Sequence, residues 1–76
     1  MGCGGVGQPC CGLACTGTTA CIGGACKQCC ALCKNRTAYH RIDVGSMCAE
    51  QASTYCNEAG KGRGGLADAK WDYCGP

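Results

Sequence analysis

Apolar and polar positions along this 76-residue chain fall into distinct regimes. Up to Cys26 they follow neither a helical nor a strand period. Turn residues such as Gly7, Pro9, Gly17, Gly23 and Gly24 interrupt every few positions. Each interior glycine costs a helix about 1 kcal/mol against alanine, so the stretch predicts turns and one short hairpin over residues 20–26, folded at Gly23-Gly24. Residues 25–34 change character. They contain no Gly or Pro, and Cys26, Cys29, Cys30 and Cys33 recur at i, i+3, i+4 and i+7. That spacing predicts a short helix with a cysteine stripe facing the rest of the domain. Residues 36–45 read as a connection with a short extended piece around Tyr39 to Val44. A second helix is predicted over residues 46–57, with Ser46 as N-cap, Glu50 in the first turn, and Asn57 and Gly60 as stop. Cys48, Ala52, Tyr55, Cys56 and Ala59 line one of its faces. Residues 60–65 form a glycine-rich basic loop. Residues 66–73 predict one or two helical turns carrying Leu66, Ala69 and Tyr73 on one side, ended by Cys74.

These elements have little to pack with. The large aliphatic residues are only Val6, Leu13, Ile22, Leu32, Ile42, Val44 and Leu66, and there is no Phe. That is well under the roughly 20% expected of a chain that folds without cross-links. Twelve of the 76 residues are cysteine, far above the roughly 8–10% that marks a disulfide scaffold in short secreted chains. The number is even, so all can pair. Each bridge adds about 2–4 kcal/mol, chiefly by restricting the unfolded chain. Bridges persist in oxidising compartments, which places the expected protein outside the cytosol, secreted and extracellular. Met1-Gly2-Cys3 carries no apolar run of a signal peptide; a secreted precursor is expected to have had one, with Met1 an added start. No transmembrane segment is present in the sequence pattern.

The first six cysteines, Cys3, Cys10, Cys11, Cys15, Cys21 and Cys26, lie within 24 residues, with the adjacent pair Cys10-Cys11 and Gly12-Leu13-Ala14 before Cys15. This arrangement resembles the inhibitor cystine knot (knottin) family. Six cysteines allow more than a dozen pairings; the resemblance implies the set Cys3–Cys15, Cys10–Cys21 and Cys11–Cys26. It covers residues 3–26, and no family is recognised for residues 27–76. The expected fold is therefore small and disulfide-rich, in two parts. Residues 1–26 form a knottin-like module of turns with a short hairpin. Residues 27–76 form a stapled module with two short helices. If those helices run antiparallel, their joined ends bring Cys33 beside Cys48, and Cys29 faces Cys56. Helix rise then leaves a mismatch, about 6 Å on one side against about 12 Å on the other. Cys30 is left for Cys74, which pins Trp71 as a structural anchor.

Charge adds an asymmetry. The net charge is +2, too small to argue for nucleic acid, but no charged residue precedes Lys27. A neutral scaffold is followed by the charged surface expected to meet a partner. Lys34, Arg36, Tyr39, Arg41, Lys70 and Trp71 place cations beside aromatics and are the candidate partner-binding residues. Catalytic constellations are missing: the single His40 has no Ser or Asp at catalytic spacing, and no cofactor or metal is expected. The function expected is therefore non-catalytic binding of a protein target, either a membrane protein or a protease, by a toxin-like or defence-peptide-like monomer. Two alternatives stand beside it. Cys26-x2-Cys29 and Cys30-x2-Cys33 with Lys27 and Lys34 resemble metallothionein, implying a metal-thiolate or zinc-binding protein. An exposed Arg or Lys, with Arg36 and Arg63 as candidates, would suit a protease inhibitor. Asn35-Arg36-Thr37 also matches the N-glycosylation sequon, read here as chance in a polar loop.

Overall fold

The computed structural model describes residues 2–74; Met1, read above as an added start, Gly75 and Pro76 lie outside that span. Three strands come first, β1 (Ala20–Ile22), β2 (Ala25–Cys33) and β3 (His40–Ile42). One helix, α1 (Cys48–Cys56), and a last strand, β4 (Leu66–Asp72), follow. β2 is the strand to which all others pair, each antiparallel. β1 lies along its start, with Cys21 opposite Cys26. The connecting turn places Gly23 and Gly24 at φ of 60° and 86°, the left-handed pair that a two-residue hairpin demands of glycine. Along the second half of β2, Cys30 faces Arg41 of β3 on one edge and Lys70 of β4 on the other. The molecule is elongated, 41 × 19 × 17 Å. Nine residues of strand span about 30 Å, long enough for β2 to pair with β1 at its start and with β3 and β4 along its second half.

All twelve cysteines are bridged. Three bridges join residues before Lys27: Cys3–Cys11, Cys10–Cys21 and Cys15–Cys26. Three join residues after it: Cys29–Cys48, Cys30–Cys74 and Cys33–Cys56. The pairing carried over from the cystine-knot resemblance therefore differs for four of the first six cysteines: Cys3–Cys15 and Cys11–Cys26 are replaced, while Cys10–Cys21 occurs in both schemes. The cause is local. The Gly4 N–H donates to the Pro9 carbonyl at 2.7 Å, folding Cys3 back onto Cys11. A tight turn with reciprocal hydrogen bonds between Cys11 and Ala14 carries Cys15 onward to Cys26.

The two-helix arrangement expected of residues 27–76 is corrected to one helix and strands, because residues 25–34 and residues 66–73 are largely strand. With it go Cys33–Cys48 and Cys29–Cys56, whereas Cys30–Cys74 occurs in both schemes. Spacing explains the outcome. Positions i and i+4 share a face on a strand as well as on a helix, so Cys29 and Cys33 suit either. Four strand residues advance about 13 Å, and the eight helical residues from Cys48 to Cys56 advance about 12 Å. A strand and a helix running parallel therefore match sulfur to sulfur, which two antiparallel helices do not. The bridged Cα atoms lie 5.4 Å and 5.3 Å apart. A strand also aims Cys30 to the other face, where Cys74 meets it. The core between β2 and α1 is made of small residues, Ala31, Cys33, Ala52 and Cys56, with Ile42, Tyr55, Leu66 and Ala69 packed around them. The helix N-cap is Met47 in the left-handed region, with no side-chain cap, rather than Ser46.

Candidate functional site

Because opposed residues of an antiparallel pair point to the same face, the register sorts the sheet. Cys29, Ala31, Ile42, His40, Trp71 and Ala69 share the side covered by α1. Gln28, Cys30, Leu32, Arg41, Asp68, Lys70 and Asp72 share the side that no helix covers. β4 supplies that open face with alternating charge, acidic, basic, acidic at every second position. Arg41 comes from the far edge, and Tyr39, just before β3, joins it. The Tyr39 hydroxyl donates to the Asp68 carboxylate across β2, and the Lys70 ammonium sits 4.5 Å from the centre of the Tyr39 ring. Lys70 is 3.4 Å from Asp72, and Arg41 is 3.0 Å from Asp43.

Electrostatics follow from these contacts. Tyr39 keeps its proton above the ordinary 10.0, first because its neutral hydroxyl hydrogen-bonds Asp68, then through desolvation, and last because a phenolate would lie beside a carboxylate. Asp72 stays ionised below the ordinary 3.8, through the Tyr73 backbone N–H first and Lys70 second. Beside Tyr39 lies an open groove of about 300 Å³, lined by Tyr39, His40, Arg41, Asp43 and Cys74. Its end is fixed by Cys30–Cys74 and by the Cys74 N–H donating to the buried Gln28 side chain at 3.2 Å.

Three of the six candidate contact residues, Tyr39, Arg41 and Lys70, are thus gathered on one surface. Trp71 alternates to the helix side and is half-buried. Lys34 and Arg36 are exposed in the β2–β3 connection; the Lys34 N–H donates to the Gly65 carbonyl and the Arg36 N–H to that of Cys33. Asp68 and Asp72 were not among the sequence candidates, although the strict alternation Ala67-Asp68-Ala69-Lys70-Trp71-Asp72 is a strand signal that exposes them. Arg63 is not the exposed residue that the inhibitor reading needs. Its side chain is 16% exposed, 2.7 Å from Glu58, donates to the Tyr55 carbonyl at 3.0 Å and lies 3.7 Å over the Tyr55 ring. His40 stacks on the same ring at 4.7 Å. Asn35 clasps this loop through Nδ2 to the Gly62 carbonyl, and a Cβ on Gly64 would fall 2.8 Å from it.

The fold is that of a small disulfide-rich protein, one helix on a small antiparallel sheet, with bridging of the extent typical of extracellular proteins. No known family, characterised protein or solved structure matches this chain. Among the described residues, no helix is long and apolar enough to cross a membrane.

Proposed function

We propose that this is a secreted, non-catalytic binding protein whose contact surface is the open face of the sheet around Tyr39. The observation that carries the reading is the convergence of Tyr39, Arg41 and Lys70, with Asp68 and Asp72, on the sheet face left free by the helix. Tyr and Arg are among the residue types enriched at the few positions that dominate protein interfaces. Here β3 and β4, which carry the converging residues other than Tyr39, pair with β2, whose four cysteines are all bridged, so little entropy is lost on binding. The patch holds charges of both signs, which suits a mixed protein surface rather than a polyanion. Toxins and defence peptides are analogues by scaffold only. Bridging of all twelve sulfurs supports the disulfide-stapled reading over the metal-thiolate alternative.

The test is affinity capture from extracellular fluid and solubilised membranes of the source organism. Bait proteins are the native chain, the triple variant Tyr39→Ala/Arg41→Ala/Lys70→Ala, and the control Lys34→Ala/Arg36→Ala, each with its six bridges verified by mass. A protein retained by the native chain and the control but lost with the triple variant supports the reading. Retention by the triple variant at native affinity overturns it.

A further inference from the structure

Two bridges in the first half of the chain stand side by side. The Sγ atoms of Cys10, Cys15 and Cys26 all lie within 4.8 Å of one another, although Cys10 is bonded to Cys21 and Cys15 to Cys26. It is the only such group of three among the described residues. Cys10 is therefore the sulfur of its bridge that stands beside the second bridge, and Cys21, at the centre of β1, lies outside the group; both are half-exposed. Cys15 is also half-exposed, whereas Cys26 is fully buried. By contrast, Cys29, Cys33, Cys48 and Cys56 are all buried beneath α1, out of reach of a thiol in solution.

We propose that this sulfur cluster is a thiol–disulfide exchange site, entered at Cys21 by a low-molecular-weight thiol and re-bridged as Cys10–Cys26. In the first step the external thiolate attacks Cys21 Sγ. The Cys10–Cys21 bond breaks, a mixed disulfide forms at Cys21, and Cys10 leaves as thiolate. That thiolate is formed beside the Cys15–Cys26 bond. In the second step it attacks Cys26 Sγ, the Cys10–Cys26 bond forms, and Cys15 leaves as thiolate. Disulfide bonds are conserved in number and no net oxidant is consumed. The direction of the second step follows from solvation. Burial raises a thiol's pKa and a lower-pKa thiol leaves faster, so half-exposed Cys15 departs in preference to buried Cys26. The consequence is a change of pairing confined to the uncharged half of the molecule, one that leaves Cys29–Cys48, Cys30–Cys74 and Cys33–Cys56 intact.

The probe is reduced glutathione added to the folded native protein at mildly alkaline pH. The reaction is stopped with excess N-ethylmaleimide, and the products are sequenced unreduced by electron-transfer fragmentation. The Cys3–Cys11 bridge, exposed at both ends, is the control for simple opening: glutathione on one cysteine accompanies maleimide on the other. In the species carrying glutathione on Cys21, maleimide is expected on Cys15 together with a Cys10–Cys26 bridge. Maleimide on Cys10 with Cys15–Cys26 intact overturns the proposal. So does glutathione on Cys10, or no adduct at Cys21 while Cys3–Cys11 opens.

Discussion

Tyr39 and Asp68 make the contact most open to a single substitution. Neutral Tyr39 donates to the Asp68 carboxylate, so its folded pKa lies above the unfolded 10.0. A raised pKa means that the stabilisation is fully present below pH 10.0 and is lost as pH climbs through the folded value. For Asp72 the sign reverses. Its depressed pKa stabilises the fold above pH 3.8, and that contribution disappears as pH falls through the folded value. Asp68→Asn removes both the hydrogen bond to a carboxylate and the neighbouring charge; the Tyr39 ring resonances, followed by NMR, are then expected to titrate nearer 10.0. No change in that midpoint would break the link between the two residues. Met47 carries a second residue-scale expectation. It is the one non-glycine residue among those described with a positive φ, 56°, a conformation that costs roughly 1–2 kcal/mol for an ordinary side chain. Asn tolerates it better, so Met47→Asn is expected to raise stability by about 1 kcal/mol in urea unfolding. Tyr39, Arg41 and Lys70 were legible in the sequence as cations beside aromatics. Their assembly was not, because it depends on a register between β2 and β4 that joins residues some forty positions apart.

The elements show where pattern and packing part company. α1 was legible because Cys48, Ala52, Tyr55 and Cys56, all buried or half-buried, recur at i, i+4, i+7 and i+8, a mixture of even and odd steps that a strand would split between its two faces. β2 was not, since its cysteine spacing suits both structures and its residues have no strong strand preference. Pairing on both edges decides the matter. β4 was not legible either: its alternation is a strand signal, yet Leu66, Ala69 and Tyr73 also fit the helical turns expected there, and the bulge between Leu32 and Cys33 hides the strand's start. The loop after α1 looked free because of its glycines, whereas Arg63 turns it into a clasp on the helix. Arg63→Ala is expected to cost about 1–3 kcal/mol, since it leaves Glu58 and the Tyr55 carbonyl without their partner. Unfolding within a few tenths of native stability would show the clasp to be idle. Ala31 and Ala52 are fully buried where strand and helix meet. Small side chains let the backbones approach within bridge distance, so Ala52→Leu is expected to cost about 1–3 kcal/mol by overpacking.

At the scale of the whole molecule, one strand carries two separately stapled halves. The even cysteine count and the scarcity of large aliphatics made a bridged scaffold legible, and the stretch without charge marked the first half. The bridge partners were out of reach, because pairing depends on which face each cysteine occupies and hence on the strand–helix assignment that spacing left open. β2 passes from one half to the other at Lys27-Gln28, and no bridge spans that point: Cys3 to Cys26 pair among themselves, as do Cys29 to Cys74. Trypsin applied to the denatured but unreduced protein tests this directly, since it cuts after Lys27 and finds no earlier lysine or arginine. The expected result is a free peptide of residues 1–27 whose mass is about 6 units below its reduced form, from three bridges. A peptide that stays linked to residues beyond Lys27 until a reductant is added, or one that emerges with free thiols, would contradict the division into two stapled halves.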